Sequence, residues 1–262
     1  MDLGLENRVA LVTAASKGLG RAVALLLARE GAQVVICARG TEALAQTRNE
    51  IAALGGQVLA LQADVSAADA AQQLVEATLA HFGELDILIA NAGGPPAGGF
   101  QNVSEQDWTA AFQLTLMSFV RLCRAAIPAL KRSEIASILA ITSMSVKQPL
   151  ENLILSNSLR LGVTGVVKSL ADELGPEGVR VNAICPGWTR TARVEHLLAT
   201  RAAQNGRTVA EETTQLTHAI PLRRMATPDE FARVAVFLAS PAASYVNGVS
   251  LLVDGGLYRG VM

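Results

Sequence analysis

The chain has 262 residues, half of them hydrophobic and only 17% charged, with a net charge of −1. That is ample material for one large core, and it leaves no concentrated basic surface for nucleic acid or an anionic membrane. Cys37, Cys123 and Cys185 form no CxxC pair and His81, His196 and His218 add no metal-ligand spacing, so reduced thiols are expected, with no disulfide framework and no metal.

The chain starts Met1-Asp2-Leu3-Gly4-Leu5-Glu6, acidic and without the basic segment of a secretion signal. No uninterrupted apolar run approaches ~18 residues, so no membrane span is expected and a soluble cytoplasmic protein is. Short apolar runs predict strands over 8–13, 33–38, 58–62, 87–90, 135–142, 179–184 and 249–253. Most are continuous β-branched or aliphatic runs, the pattern of strands buried on both faces of a parallel sheet. Helical periodicity fills 18–30, 41–54, 66–82, 104–131, 152–174 and 228–239. The alternation predicts an α/β fold: a single-domain, Rossmann-like, doubly wound parallel sheet of about seven strands, helices on both faces, spanning 1–262. Ligands of such sheets bind at the carboxyl ends of the strands. Two irregular stretches leave that edge, Gly93-Gly94-Pro95-Pro96-Ala97-Gly98-Gly99 and residues 186–227, the second with two short helical patterns; both are expected to contact a small-molecule substrate.

The segments 112–127 and 153–170 are apolar on nearly every side. A helix with one buried face shows a polar stripe. The helices at 104–131 and 152–174 are therefore expected to pair with symmetry mates in a homo-oligomer, a dimer or tetramer.

The first strand runs into Thr13-Ala14-Ala15-Ser16-Lys17-Gly18-Leu19-Gly20 and then a helix. A tight turn of small residues lets backbone N–H groups and the helix dipole face a pyrophosphate. With Asn91-Ala92-Gly93 after the fourth strand, Val181-Asn182-Ala183-Ile184-Cys185-Pro186-Gly187 in the sixth and Asp254-Gly255-Gly256 near the end, the chain resembles the short-chain dehydrogenase/reductase family along essentially its whole length. It looks most like the β-ketoacyl carrier-protein reductase branch, with divergent cofactor and catalytic motifs. Ala14 stands where the family has glycine; the preferred reading is a negative φ there, which alanine tolerates, because Gly18 and Gly20 persist.

The second strand ends Cys37-Ala38-Arg39-Gly40, with no acid to bond a ribose 2′-hydroxyl. Arg39 and Lys17 make a cationic pair suited to a 2′-phosphate, so NADP(H) is favoured over NAD(H). The resemblance implies that Asp64 and Val65 contact adenine, that Asn91, Ala92 and Gly93 close the cofactor floor, and that Pro186, Gly187, Thr189 and Thr191 hold nicotinamide. It also places the family's catalytic Asn, Ser, Tyr and Lys slots on Thr115, Ser143, Ser156 and Arg160, the last two one helical turn apart. A serine hydroxyl is a far weaker acid than a phenol and too short to reach its position. Arg160 keeps the cation and can bond ribose hydroxyls, but it cannot relay a proton. Lys147, Glu151, His196 and His218 are candidate substitutes, a histidine being the residue type that titrates near neutrality. Three readings follow: an NADP(H)-dependent oxidoreductase on a carbonyl/alcohol pair, with 3-oxoacyl compounds among the candidates; a dinucleotide-binding protein without redox activity; or a lyase or isomerase using Arg160 as an anion anchor.

Overall fold

The computed structural model describes residues 2–261. Its strands are β1 (Val9–Val12), β2 (Gln33–Ala38), β3 (Val58–Gln62), β4 (Ile87–Ala90), β5 (Ser137–Ile141), β6 (Arg180–Pro186) and β7 (Ser250–Val253). All belong to one parallel sheet in the order β3-β2-β1-β4-β5-β6-β7. The helices are α1 (Gly18–Arg29), α2 (Thr41–Ala53), α3 (Ala70–Phe82), α4 (Glu105–Phe112), α5 (Ser118–Leu130), α6 (Ile154–Leu174), α7 (Ala192–Asn205), α8 (Val209–Ala219) and α9 (Pro228–Ala239).

The period of two along each strand divides the core. Val34, Ile36 and Ala38 of β2 face α1, α2 and α9, whereas Val35 and Cys37 face the layer of α3, α5 and α6. β4 divides likewise, Ile87 and Ile89 on one side and Leu88 and Ala90 on the other. Each fully buried Leu or Ile contributes about 1.5–3 kcal/mol of transfer free energy. The doubly wound sheet is thus the one expected from the sequence.

Two helices depart from their predicted bounds by more than two residues. The run predicted from 66 begins at Ala70, because Asp64 accepts the Ser66 N–H at 3.0 Å and the Ser66 hydroxyl at 2.7 Å and holds the chain in a turn. The run predicted over 104–131 is interrupted by a π-helical turn, Gln113–Met117, between α4 and α5. A π turn widens the helix and shifts the facing of every residue beyond it. It falls beside the cleft, on the elements that carry Leu114 and Thr115.

Candidate functional site

Strand order reverses between β1 and β4, and a crevice opens at their carboxyl ends. The Thr13 hydroxyl donates to the Asn91 carbonyl at 2.6 Å and accepts the Asn91 N–H at 2.8 Å. The Asn91 amide donates to the Ala14 carbonyl at 3.3 Å. A Cβ on Gly20 would lie 2.5 Å from that carbonyl oxygen and 2.7 Å from Asn91 Nδ2, so only glycine lets α1 sit this close beneath the turn. Ala14 itself has φ 48°, and the negative φ expected for it is wrong. The chain must reverse here while aiming the Ala14 carbonyl at Asn91, and the left-handed conformation achieves both. For an L-residue it costs about 1–2 kcal/mol.

From this crevice a cleft of about 960 Å³ runs along the sheet edge. One end is lined by Ser16, Lys17, Gly18, Leu19, Arg39, Asp64 and Val65, and the middle by Asn91, Ala92 and Gly93. Lys17 is the N-cap of α1 and makes no side-chain cap bond, so the first amides of that helix stay open to an anion. Burial pushes the Asp64 carboxyl up, but the Ser66 amide and hydroxyl and the Arg39 charge outweigh it and hold it below its usual value. Three residues assigned to the cofactor from sequence do not line the cleft. Thr13 is buried and pins Asn91, Ala15 is buried with its N–H on the Cys37 carbonyl at 2.9 Å, and Gly20 packs under the turn. They shape the loop from behind.

The other end is lined by Ser143, Ser156, Arg160, Pro186, Gly187, Thr189 and Thr191. Ser143 lies two residues beyond β5, and its hydroxyl oxygen accepts the Ser145 N–H at 3.1 Å, leaving its own hydrogen free to donate. Ser156 and Arg160 share one face of α6 and are both buried. Arg160 lies across the end of β5, where Nη1 donates to the carbonyls of Ile141 at 3.0 Å and Thr142 at 2.9 Å. Burial first, then repulsion from Arg193, brings its pKa to about 10, so it stays charged at neutral pH. Thr115 sits in the π turn with its hydroxyl buried and unpartnered, and it faces a cavity of about 20 Å³ shared with Arg160 rather than the cleft itself. Of the substitute proton donors, His196 lines the cleft; Lys147, Glu151 and His218 do not.

Residues 13–258 match the family described as enoyl-(acyl carrier protein) reductase. A 3-oxoacyl-[acyl-carrier-protein] reductase of a Synechocystis species is 36% identical over 259 residues, 97% of this chain and 98% of that protein. The L-sorbose reductase of Gluconobacter frateurii, solved with NADPH and L-sorbose, superposes over 100% of both chains with a TM-score of 0.94 at 30% identity. The chain belongs to the short-chain dehydrogenase/reductase family. An NADPH-bound short-chain oxidoreductase from Pseudomonas aeruginosa, described as containing an atypical catalytic center, is 32% identical with a TM-score of 0.88, covering 98% of this chain and 100% of that one.

As a short-chain dehydrogenase/reductase, the protein carries features at this end that its sequence did not disclose. Arg193, in the first turn of α7, donates from Nη1 to the Gly94 carbonyl at 3.2 Å and from Nη2 to the Pro95 carbonyl at 2.8 Å. It joins the two irregular stretches across the cleft mouth. Met144, Leu150, Leu153 and Trp188 add an apolar wall. The only advance signal was position, and only for Trp188 and Arg193, which lie in the 186–227 stretch; Met144, Leu150 and Leu153 follow the end of β5. The three thiols offer no nucleophile: all are buried, and burial pushes Cys37 up to about 12 and raises Cys123 and Cys185.

Proposed function

We propose that the protein is an NADP(H)-dependent oxidoreductase acting on a carbonyl/alcohol pair, working without the phenol that usually serves as its proton donor. The observation that carries this is the continuity of the cleft, which joins the cationic end at Lys17 and Arg39 to Ser143 and Arg160. Its size suits a dinucleotide and a small substrate together. Lys17 and Arg39 would hold the 2′-phosphate, the open amides of α1 the pyrophosphate, and Asn91 to Gly93 with Pro186 to Thr191 the nicotinamide half. The bound cofactor supplies the hydride exchanged with the carbonyl carbon. Ser143 would donate its free hydroxyl hydrogen to the substrate oxygen. Arg160 keeps a positive charge beside it, which favours negative charge developing on that oxygen. Ser156 is too short to replace a phenol, and the His196 imidazole is the titratable group within the cleft best suited to exchange the proton.

The test is NADPH oxidation with a panel of ketones and 3-oxoacyl thioesters at saturating cofactor. Turnover that falls at least about tenfold in Ser143→Ala is expected; turnover no greater than that variant's, for every carbonyl, defeats the reading and leaves a binding protein or a non-redox chemistry. We propose separately that the protein is a cytoplasmic homo-oligomer. The run Glu105–Leu130 has the length and apolarity of a membrane span, but Phe119, Leu122, Cys123, Ala126 and Leu130 are spent on the core. Phe112 and Leu161, 38% and 56% exposed on adjoining helices, mark the face offered to a second copy.

A further inference from the structure

Among the described residues, the catalytic end of the cleft holds two guanidinium groups and no carboxylate. The cleft's one lining acid, Asp64, lies at the opposite end, turned onto Ser66. Among the described residues neither Arg160 nor Arg193 forms an ion pair. Each spends only part of its donor set: Arg160 bonds two carbonyls through Nη1 alone, leaving Nε and Nη2 unengaged, and Arg193 gives one bond from each Nη and none from Nε. A guanidinium has five N–H donors arranged to meet an oxyanion bidentately. Both groups line the same cleft, so like charges share it without a carboxylate from the described residues between them.

The approach of Arg193 is built into the backbone. Gly94 carries no side chain where the guanidinium crosses the loop, and a Cβ there would collide with it. Beside the two cations stand Met144, Leu150, Leu153 and Trp188. The site is therefore amphipathic: a cationic fork against an apolar wall, next to Ser143.

Resting on the reductase reading above, we infer that the substrate is an oxo acid (or the matching hydroxy acid) with an apolar body, its carboxylate held by Arg193 and Arg160. The carboxylate offsets one of the two positive charges and accepts from the unspent N–H donors of both groups. The apolar chain lies on Leu150, Leu153 and Trp188. Arg193 then recognises the substrate and, through Gly94 and Pro95, ties the two loops over it.

Two measurements on the full chain test this. The first is melting of NADPH-saturated protein with octanoate or octanamide. Octanoate is expected to raise the melting temperature and octanamide to leave it unchanged, with the octanoate shift lost in Arg193→Gln. Gly94→Ala keeps the charge but displaces the guanidinium, and is expected to shrink the shift too; a full shift in both variants overturns the assignment. A shift seen only without NADPH means that octanoate competes for the cofactor's phosphate positions, and overturns it as well. The second is kcat/KM for medium-chain oxo acids against their methyl esters, expected to favour the acid by about tenfold or more, the worth of hydrogen bonds to a charged group. That ratio collapses toward one in Arg193→Gln. Turnover of neutral ketones with no octanoate shift sinks the carboxylate site and leaves the reductase standing. An octanoate shift with no turnover of any carbonyl does the reverse.

Discussion

Ala14 and Ser156 are the residues at which this chain departs most tellingly from its family, and each has a separable consequence. Ala14 holds φ 48° so that its carbonyl meets Asn91, and the strain is local to one residue. Ala14→Gly removes a left-handed L-residue and is expected to stabilise the fold by about 1 kcal/mol, a rise of about 2–4 °C in melting temperature. Because the turn faces the cleft, NADPH binding measured by calorimetry should tighten or hold, never weaken. Ser156 bears on chemistry instead. It and Arg160 are stacked on α6 at the spacing the family uses for its phenol and ammonium, and Ser143 stands across from them. The double variant Ser156→Tyr with Arg160→Lys puts an acid within reach of the substrate oxygen. It should raise ketone-dependent NADPH oxidation by about a hundredfold, the lower range of general acid catalysis. An unchanged rate in a cofactor-saturated variant would show that the missing phenol is not what limits turnover.

Among the elements, the π turn at Gln113–Met117 is the least expected and the most informative. It buries the Thr115 hydroxyl with no partner. An unsatisfied buried hydroxyl costs about 1–3 kcal/mol, so the near-isosteric Thr115→Val should stabilise by about 1 kcal/mol in urea unfolding. A loss instead would place a water in the adjoining cavity of about 20 Å³, bonded to that hydroxyl. On α6, Leu161 is the exposed apolar residue expected to meet a second copy. Leu161→Glu should lower the sedimenting species to a single chain without lowering the melting temperature of the isolated subunit. Why some elements were legible and others not follows from the range of the forces involved. β2, β3 and β4 were read to the residue because a strand buried on both faces is an uninterrupted apolar run. Helix α9 was read to the residue from its periodicity, and the structure closes its start with a Thr227–Glu230 capping box and Pro228 in its first turn. The turn at Asp64 and the π turn are choices between hydrogen-bond partners that periodicity does not record. The sign of φ at Ala14 is set by Asn91, and the reach of Arg193 by a loop 99 residues away. Those are tertiary facts, and a single sequence carries only the positions at which they can occur.

For the whole molecule, the cleft is the seam where the two halves of the sheet meet. Among the described residues, no ion pair joins its opposite walls. Across the β1–β4 junction the halves are held by strand pairing and by Thr13, Ala14 and Asn91, while Arg193 on the Gly94 and Pro95 carbonyls ties loops within the β4–β7 half. A dinucleotide lying along this seam touches both halves and binds the native state alone. At about a hundredfold excess over Kd it should add about 2.7 kcal/mol to stability, or about 5–10 °C in melting temperature. The cationic pair at one end decides which dinucleotide does this best. Lys17 and Arg39 have no ion-pair partner among the described residues, and Asp64, the one acid lining that end, is held by Ser66. NADPH should therefore shift the melting curve further than NADH at equal concentration. Arg39→Glu replaces the attraction to a 2′-phosphate with repulsion and supplies an acceptor for a ribose hydroxyl, so the order should reverse. Equal shifts for both cofactors in the unmodified protein would remove Arg39 from recognition, while a larger shift with NADH would reverse the cofactor assignment outright.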